Sequence, residues 1–140
     1  MMVDYMPALQ DIKDTVAAAV PDCDIVQTHD DVTVGPTGIL KSYVILTFGG
    51  PLKYPLDKGI TESANNPNLM WCTVQCVSSN AMTSDRIKQM VFSALEDHYP
   101  PNSGRMTADG GYSQDTKNSN VKPVRYVSAV RFSFVHNLVS

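Results

Sequence analysis

MWCTVQCVSSNAMTSDRIKQMVFSALEDHY, residues 70–99, decides the fold of this chain. Its first nine residues alternate. Met70, Cys72, Val74 and Cys76 fall on one side of an extended strand, and Trp71, Thr73, Gln75 and Val77 on the other. The first set is the better core face. The period then changes. Ile87, Met90, Val91, Ala94, Leu95 and His98 recur at three- and four-residue steps, the stripe of a buried helix face. Thr83 or Ser84 can cap that helix, Asp85 suits its first turn, and Pro100-Pro101 ends it. A strand feeding a capped helix through a short polar turn implies an α+β domain.

The flanking segments extend this pattern. Over residues 5–20, Met6, Leu9, Ile12, Val16 and Ala19 or Val20 form one apolar stripe. Asp4 stands as a cap, Pro7 is tolerated in the first turn, and Pro21 stops the helix. Short strands are expected at 24–28 and 32–34, around a turn at His29-Asp30-Asp31. Gly35-Pro36-Thr37-Gly38 is a break. Residues 42–48 read as a strand, β-branched and aromatic, ended by Gly49-Gly50-Pro51. The chain closes on a long strand at 124–135, whose core side is expected to hold Tyr126, Ser128, Val130, Phe132 and Phe134. The expectation is a mixed or antiparallel sheet flanked by two helices, in a single domain spanning residues 1–140.

Two segments do not fit a compact core. Residues 49–69 hold three prolines, three glycines and three asparagines, with Leu52, Tyr54, Leu56 and Ile60 as apolar beads. Residues 100–123 are mostly Ser, Asn, Gly, Asp, Lys and Thr. Both read as long loops that need something else to order them. The beads either dock on a neighbouring molecule or cover the edge of their own core. Trp71 either anchors an interface or packs under a loop. On the second loop Arg105, Tyr112, Lys117 and Lys122 are the candidate polar contacts.

Charge is unevenly placed. Residues 1–31 carry seven aspartates against one lysine, a net of −6, whereas the remaining residues carry seven acidic and ten basic side chains, a net of +3. Opposed surfaces of this kind suit head-to-tail self-association, although solvated faces alone would give the same pattern. No basic stripe with interleaved aromatics points to sequence-reading of nucleic acid. The N-terminal residues lack the basic and apolar regions of a signal peptide, and the apolar runs are too short for a membrane span, so a cytoplasmic origin is expected.

No cofactor, metal or catalytic site emerges. Cys72 and Cys76 sit two pleats apart, roughly 13 Å along a strand, too far to share a metal or a disulfide. Cys23, Cys72 and Cys76 read as free thiols of a reducing compartment. His29, His98 and His136 have no ligand spacing. Gly49-Gly50 and Gly110-Gly111 lack the features of phosphate loops. The chain is expected not to be an enzyme.

The order of helix, "SYVILTF", long loop, the 69–99 stretch, long loop and "VRYVSAVRFSFVHN" resembles the tail terminator (tail completion) proteins of long-tailed, siphovirus-type bacteriophages. The closest part is residues 70–99. The resemblance implies a structural virion protein of the tail or neck, made in the host bacterial cytoplasm. Its copies would form a hexameric ring that caps the tail tube, ends tube polymerisation and presents a surface to the head-to-tail connector. Its partners would be further copies of itself, the tube protein and the connector or stopper, with DNA passing through the lumen unread. On that reading the acidic N-terminal region would repel DNA phosphates. A stopper or tube subunit shares much of the same architecture, and a small ligand-binding or thiol-enzyme domain is the alternative of a different class.

Overall fold

The computed structural model describes residues 5–27, 40–53, 68–117 and 123–136, with side chains omitted at 51–53. Among the described residues two helices lie on one face of a five-stranded sheet. The elements run α1 (Met6–Ala19), β1 (Asp24–Val26), β2 (Tyr43–Lys53), β3 (Asn68–Ser78), α2 (Ala81–Leu95), β4 (Thr107–Asp115) and β5 (Tyr126–His136). The strands lie in the order β1-β2-β3-β5-β4. β1 pairs parallel with β2, and every other neighbouring pair is antiparallel. The sheet is therefore mixed, and the α+β expectation holds.

α1 buries Ala8, Ile12 and Val16, with Val20 at its C-terminal cap. Ala8 replaces Met6 in the expected stripe; Met6 is 63% exposed and Leu9 is only half-buried. Pro7 occupies the first turn as expected, and Pro21 follows the cap, where a further helical N–H is impossible.

α2 starts earlier than its hydroxyl residues suggest. Asn80 is the cap, and its Oδ1 accepts hydrogen bonds from the N–H groups of Met82 (2.8 Å) and Thr83 (3.3 Å). Asparagine is as good a cap as serine. Ser84 instead lies wholly inside, and its hydroxyl donates to the Cys76 carbonyl at 2.7 Å, tying the helix to the strand before it. Ile87, Val91 and Leu95 face the core as expected, whereas Met90 is 40% exposed.

The helix layer covers the inner sheet face, where Val44, Met70, Cys72, Val74, Cys76, Val130, Phe132 and Phe134 form one cluster with α1 and α2. The alternation read in β3 and β5 is thus the one that folds. A smaller cluster on the opposite face joins Leu40, Tyr43, Ile45, Val77 and Val127. β5 is consequently buried on both faces over residues 127–130.

The two expected loops are shorter than the sequence suggests. β2 continues to Lys53, bending at a register shift between Gly49 and Leu52 where Gly50 has φ 94°, and β3 begins at Asn68. The larger correction concerns residues 100–123. Asp97 takes a left-handed φ of 65°, its N–H donates to the Met106 carbonyl, and the Met106 N–H donates to the His98 carbonyl. This turn folds the chain back on itself, buries Met106 completely, and launches β4. A run of polar and glycine residues became a strand because β5 supplied a full ladder of partners. The expected strand at 32–34, its preceding turn and the Asp4 cap lie outside the described residues.

Candidate functional site

The chemistry-bearing side chains are tied up in structure. Cys72 and Cys76 are buried free thiols, and burial pushes each up to about 12. Such thiols are not nucleophiles at neutral pH. Cys23 is also raised, first by burial and then by the neighbouring Asp22. His98 Nε2 lies 2.5 Å from the Asp11 carboxylate, so the ring joins the segment after α2 to α1. Among the described residues no group of three or more His, Cys, Asp or Glu side chains converges as a metal site. No described helix is long and apolar enough to cross a membrane.

The remaining surface with a distinct character is the far edge of the sheet. All β4 residues except Ala108 are exposed, whichever side they point to. α2 packs on β3 and β5, and only Ala81 and Asp85 at its start share a hollow with Ser113, Gln114 and Asp115 of β4. Tyr112, Gln114 and Gly110 share the outer face with Ala129, Val127 and Arg131 of β5, while Gly111, Ser113 and Asp115 point to the inner side. The Tyr112 hydroxyl accepts a hydrogen bond from Gln75 Nε2 at 2.5 Å, which bridges across β5. A bulge at Asp109 shifts the register between Ala108 and Gly110, and the Asp109 carboxylate accepts from Arg131 Nε at 2.7 Å.

Glycine at 110 and 111 shapes this surface. A side chain at Gly110 would meet open space, whereas a Cβ at Gly111 would lie 2.6 Å from the Ala129 carbonyl oxygen. The missing side chain at Gly110 leaves a hollow of about 240 Å³ on the outer face between Thr73, Ala129, Tyr112 and Arg131. An aromatic and an arginine beside a small hollow are the residue types that anchor protein interfaces. A larger groove of about 710 Å³ lies between the C-terminal end of α1 and α2, with Val20, Cys23, Ile87 and Met90 in its lining.

The sequence-derived interface residues are scattered over this framework. Trp71 is half-buried on the outer face of β3, opposite Gly49 of β2 and Ser133 of β5. Tyr112 shares that face, two strands away. Arg105 precedes β4 and pairs with Asp97 at 3.4 Å; both are exposed, so the pair contributes little to stability. Lys117 follows β4, with its ammonium 5.5 Å from the centre of the Tyr126 ring. Leu52 belongs to β2 rather than to a loop. Tyr54, Leu56, Ile60 and Lys122 lie outside the described residues. Arg131, Thr73 and the glycine hollow went unread in the sequence. The Gly110-Gly111 pair was the available signal, and it reads as a loop unless the partner strand is known.

No protein-family model and no curated protein sequence matches the chain. The fold does have a solved counterpart. It aligns with a chain of the virion of a native gene transfer agent particle at a TM-score of 0.53 and 16% identity, covering 95% of this chain and 94% of the other. At that identity the likeness is one of fold.

Proposed function

We propose that this chain is a structural subunit of a phage-like virion, and within it a tail terminator that closes into a ring on the end of the tail tube. The observation that carries the reading is the end-to-end likeness of fold to a virion chain, with almost nothing left over on either side. Two features support it. Among the described residues both sheet edges are strands with an open side, and β4 beyond Ala108 is exposed on both faces as well. Such strands invite pairing unless they are covered, and a closed ring covers them. The polar character of the exposed face suits a subunit that folds first as a monomer and then assembles.

In this reading the ring sits between the tube protein and the head-to-tail connector, and the genome passes through its lumen without base contacts. The particle mass and shape of the purified protein, by light scattering and negative-stain imaging over a range of concentrations, test it. A closed ring is the expected result. Open-ended tubes would reassign the chain as a tube subunit, and a strict monomer that purified tails do not recruit would overturn the virion reading.

A further inference from the structure

The edge of β4 is only partly open. Its beginning is covered from within the chain: Met106 exchanges backbone hydrogen bonds with Asp97 and His98, and the Ala108 N–H donates to the Glu96 carboxylate at 2.9 Å. Beyond the bulge at Asp109 this cover ends. The Thr116 N–H donates to the Arg125 carbonyl, which makes that pair a hydrogen-bonded one. In an antiparallel ladder such pairs alternate, so residues 110, 112 and 114 bond inward to β5, and 111, 113 and 115 point their backbone groups away from it. Among the described residues nothing pairs with that side. The open stretch, residues 110–115, is twice as long as the three-residue β1, the strand at the opposite edge, whose far side is likewise unpaired among the described residues.

Strand direction fixes how two such edges can meet. β1, β2 and β5 run one way, and β3 and β4 the other. A second copy placed beside β4 in the same orientation presents its β1 antiparallel to β4, the more favourable pairing. No copy has to be inverted, so the contact repeats head to tail and can close. Pairing β4 with β4 would require a two-fold axis and would end at a dimer.

We propose that residues 110–115 of β4 add β1 of a second copy of this chain as a sixth, antiparallel strand. The proposal rests on the ring reading above and names its joint. In strand addition the backbone gives affinity, and hollows for alternate side chains give specificity. Asp24 and Val26 share the outer face with Tyr43 and Ile45, their partners in β2. In the added copy that face coincides with the face of Tyr112, so these two side chains are the ones directed toward the glycine hollow and Arg131.

Two experiments test this joint. Ser113→Pro removes an N–H that points away from β5, so the chain's own ladder stays intact while an added strand loses a donor. The expected result is an unchanged unfolding midpoint and far-ultraviolet spectrum, with assembly reduced to monomer by light scattering. The second uses a Cys23→Ser background with Asp24→Cys and Gln114→Cys on separate co-expressed chains and a short bis-maleimide. Cross-linked dimer is expected from the pair and from neither variant alone, whether or not Ser113→Pro folds. Self-cross-linking of Gln114→Cys would overturn the proposal in favour of a two-fold contact. Ring-sized particles without the mixed cross-link would overturn the joint and leave the ring standing. Monomers at every concentration with no cross-link would overturn both.

Discussion

β4 and β5 are antiparallel neighbours joined by a ladder that breaks only at the Asp109 bulge, yet they live in different environments. Of the eleven residues of β5 only Arg131 is exposed, whereas of the nine of β4 only Ala108 is not. The difference comes from position relative to the helix layer. α2 packs on β3 and β5, and a second apolar cluster backs β5 on its other face. β4 stands beyond both. A strand can therefore be specified in two ways: by its own apolar alternation, or by a neighbour that offers hydrogen-bond partners. β5 is the first kind and β4 the second.

The contrast predicts its largest effect at the centre of β5. Phe132 is wholly buried, beside Phe92 of α2 at 6.1 Å between ring centres. Phe132→Ala should lose about 3–5 kcal/mol of unfolding free energy by denaturant titration, because it opens a cavity that the helix layer cannot fill. A loss near zero would mean that β5 is no more essential to the fold than β4.

The inner face also carries a pH dependence. Burial raises the Cys72 and Cys76 thiols from about 9 in a solvated chain to about 12. Above the unfolded value the unfolded chain releases these protons and the folded chain keeps them, so folding stability falls as pH rises. The stability is fully present below about pH 8. It should decline between 9 and 12 by up to ~1.4 kcal/mol per pH unit for each thiol. Denaturant titrations at pH 8 and 10 check this, with Cys72→Ala and Cys76→Ala variants flattening the slope. A wild-type slope already flat would place the thiols in contact with water.

These two regions also divide what the sequence could reveal. β3, α2 and β5 were legible because their apolar residues keep the period of their own element: Cys72, Val74 and Cys76 alternate, and Ile87, Val91 and Leu95 step by four. Asn80 as the cap of α2 was hidden among stronger-looking hydroxyls, and Ser84 proved to be an anchor inside the core. β4 left no trace because Thr-Ala-Asp-Gly-Gly-Tyr-Ser-Gln-Asp has neither alternation nor β-branched content beyond its first residue. Its strand character is conferred from outside, by the β5 ladder, the Glu96 carboxylate and the turn that buries Met106. Of the interface residues read from sequence, Tyr112 and Trp71 share the outer face. The hollow between Tyr112 and Arg131 depends on a register that no local pattern encodes.

Gly111 sharpens the comparison at the ladder itself. A methyl there would press within 2.6 Å of the Ala129 carbonyl oxygen, a backbone atom that cannot swing aside. Gly111→Ala should cost about 1–3 kcal/mol, the range for an overpacked site. The damage should be local: amide hydrogen exchange in residues 110–115 accelerates while β3 and α2 keep their protection. Acceleration throughout the sheet would show that β4 is part of the cooperative core after all.

The smallest effect on the fold belongs to Tyr112, and there the two kinds of strand separate most clearly. Its ring is 43% exposed and its hydroxyl meets Gln75 at the surface, where water can replace either partner. Tyr112→Ala should change unfolding free energy by no more than about 0.5 kcal/mol, as surface substitutions do. The same change removes one wall of the glycine hollow on the edge proposed to receive a neighbour. The concentration at half-assembly should therefore rise about tenfold, equivalent to ~1.4 kcal/mol of association free energy. Light scattering reads that shift directly. A variant that assembles like wild type would mean that β4 is bare because it is solvated, and the joint between copies would have to be sought on another face.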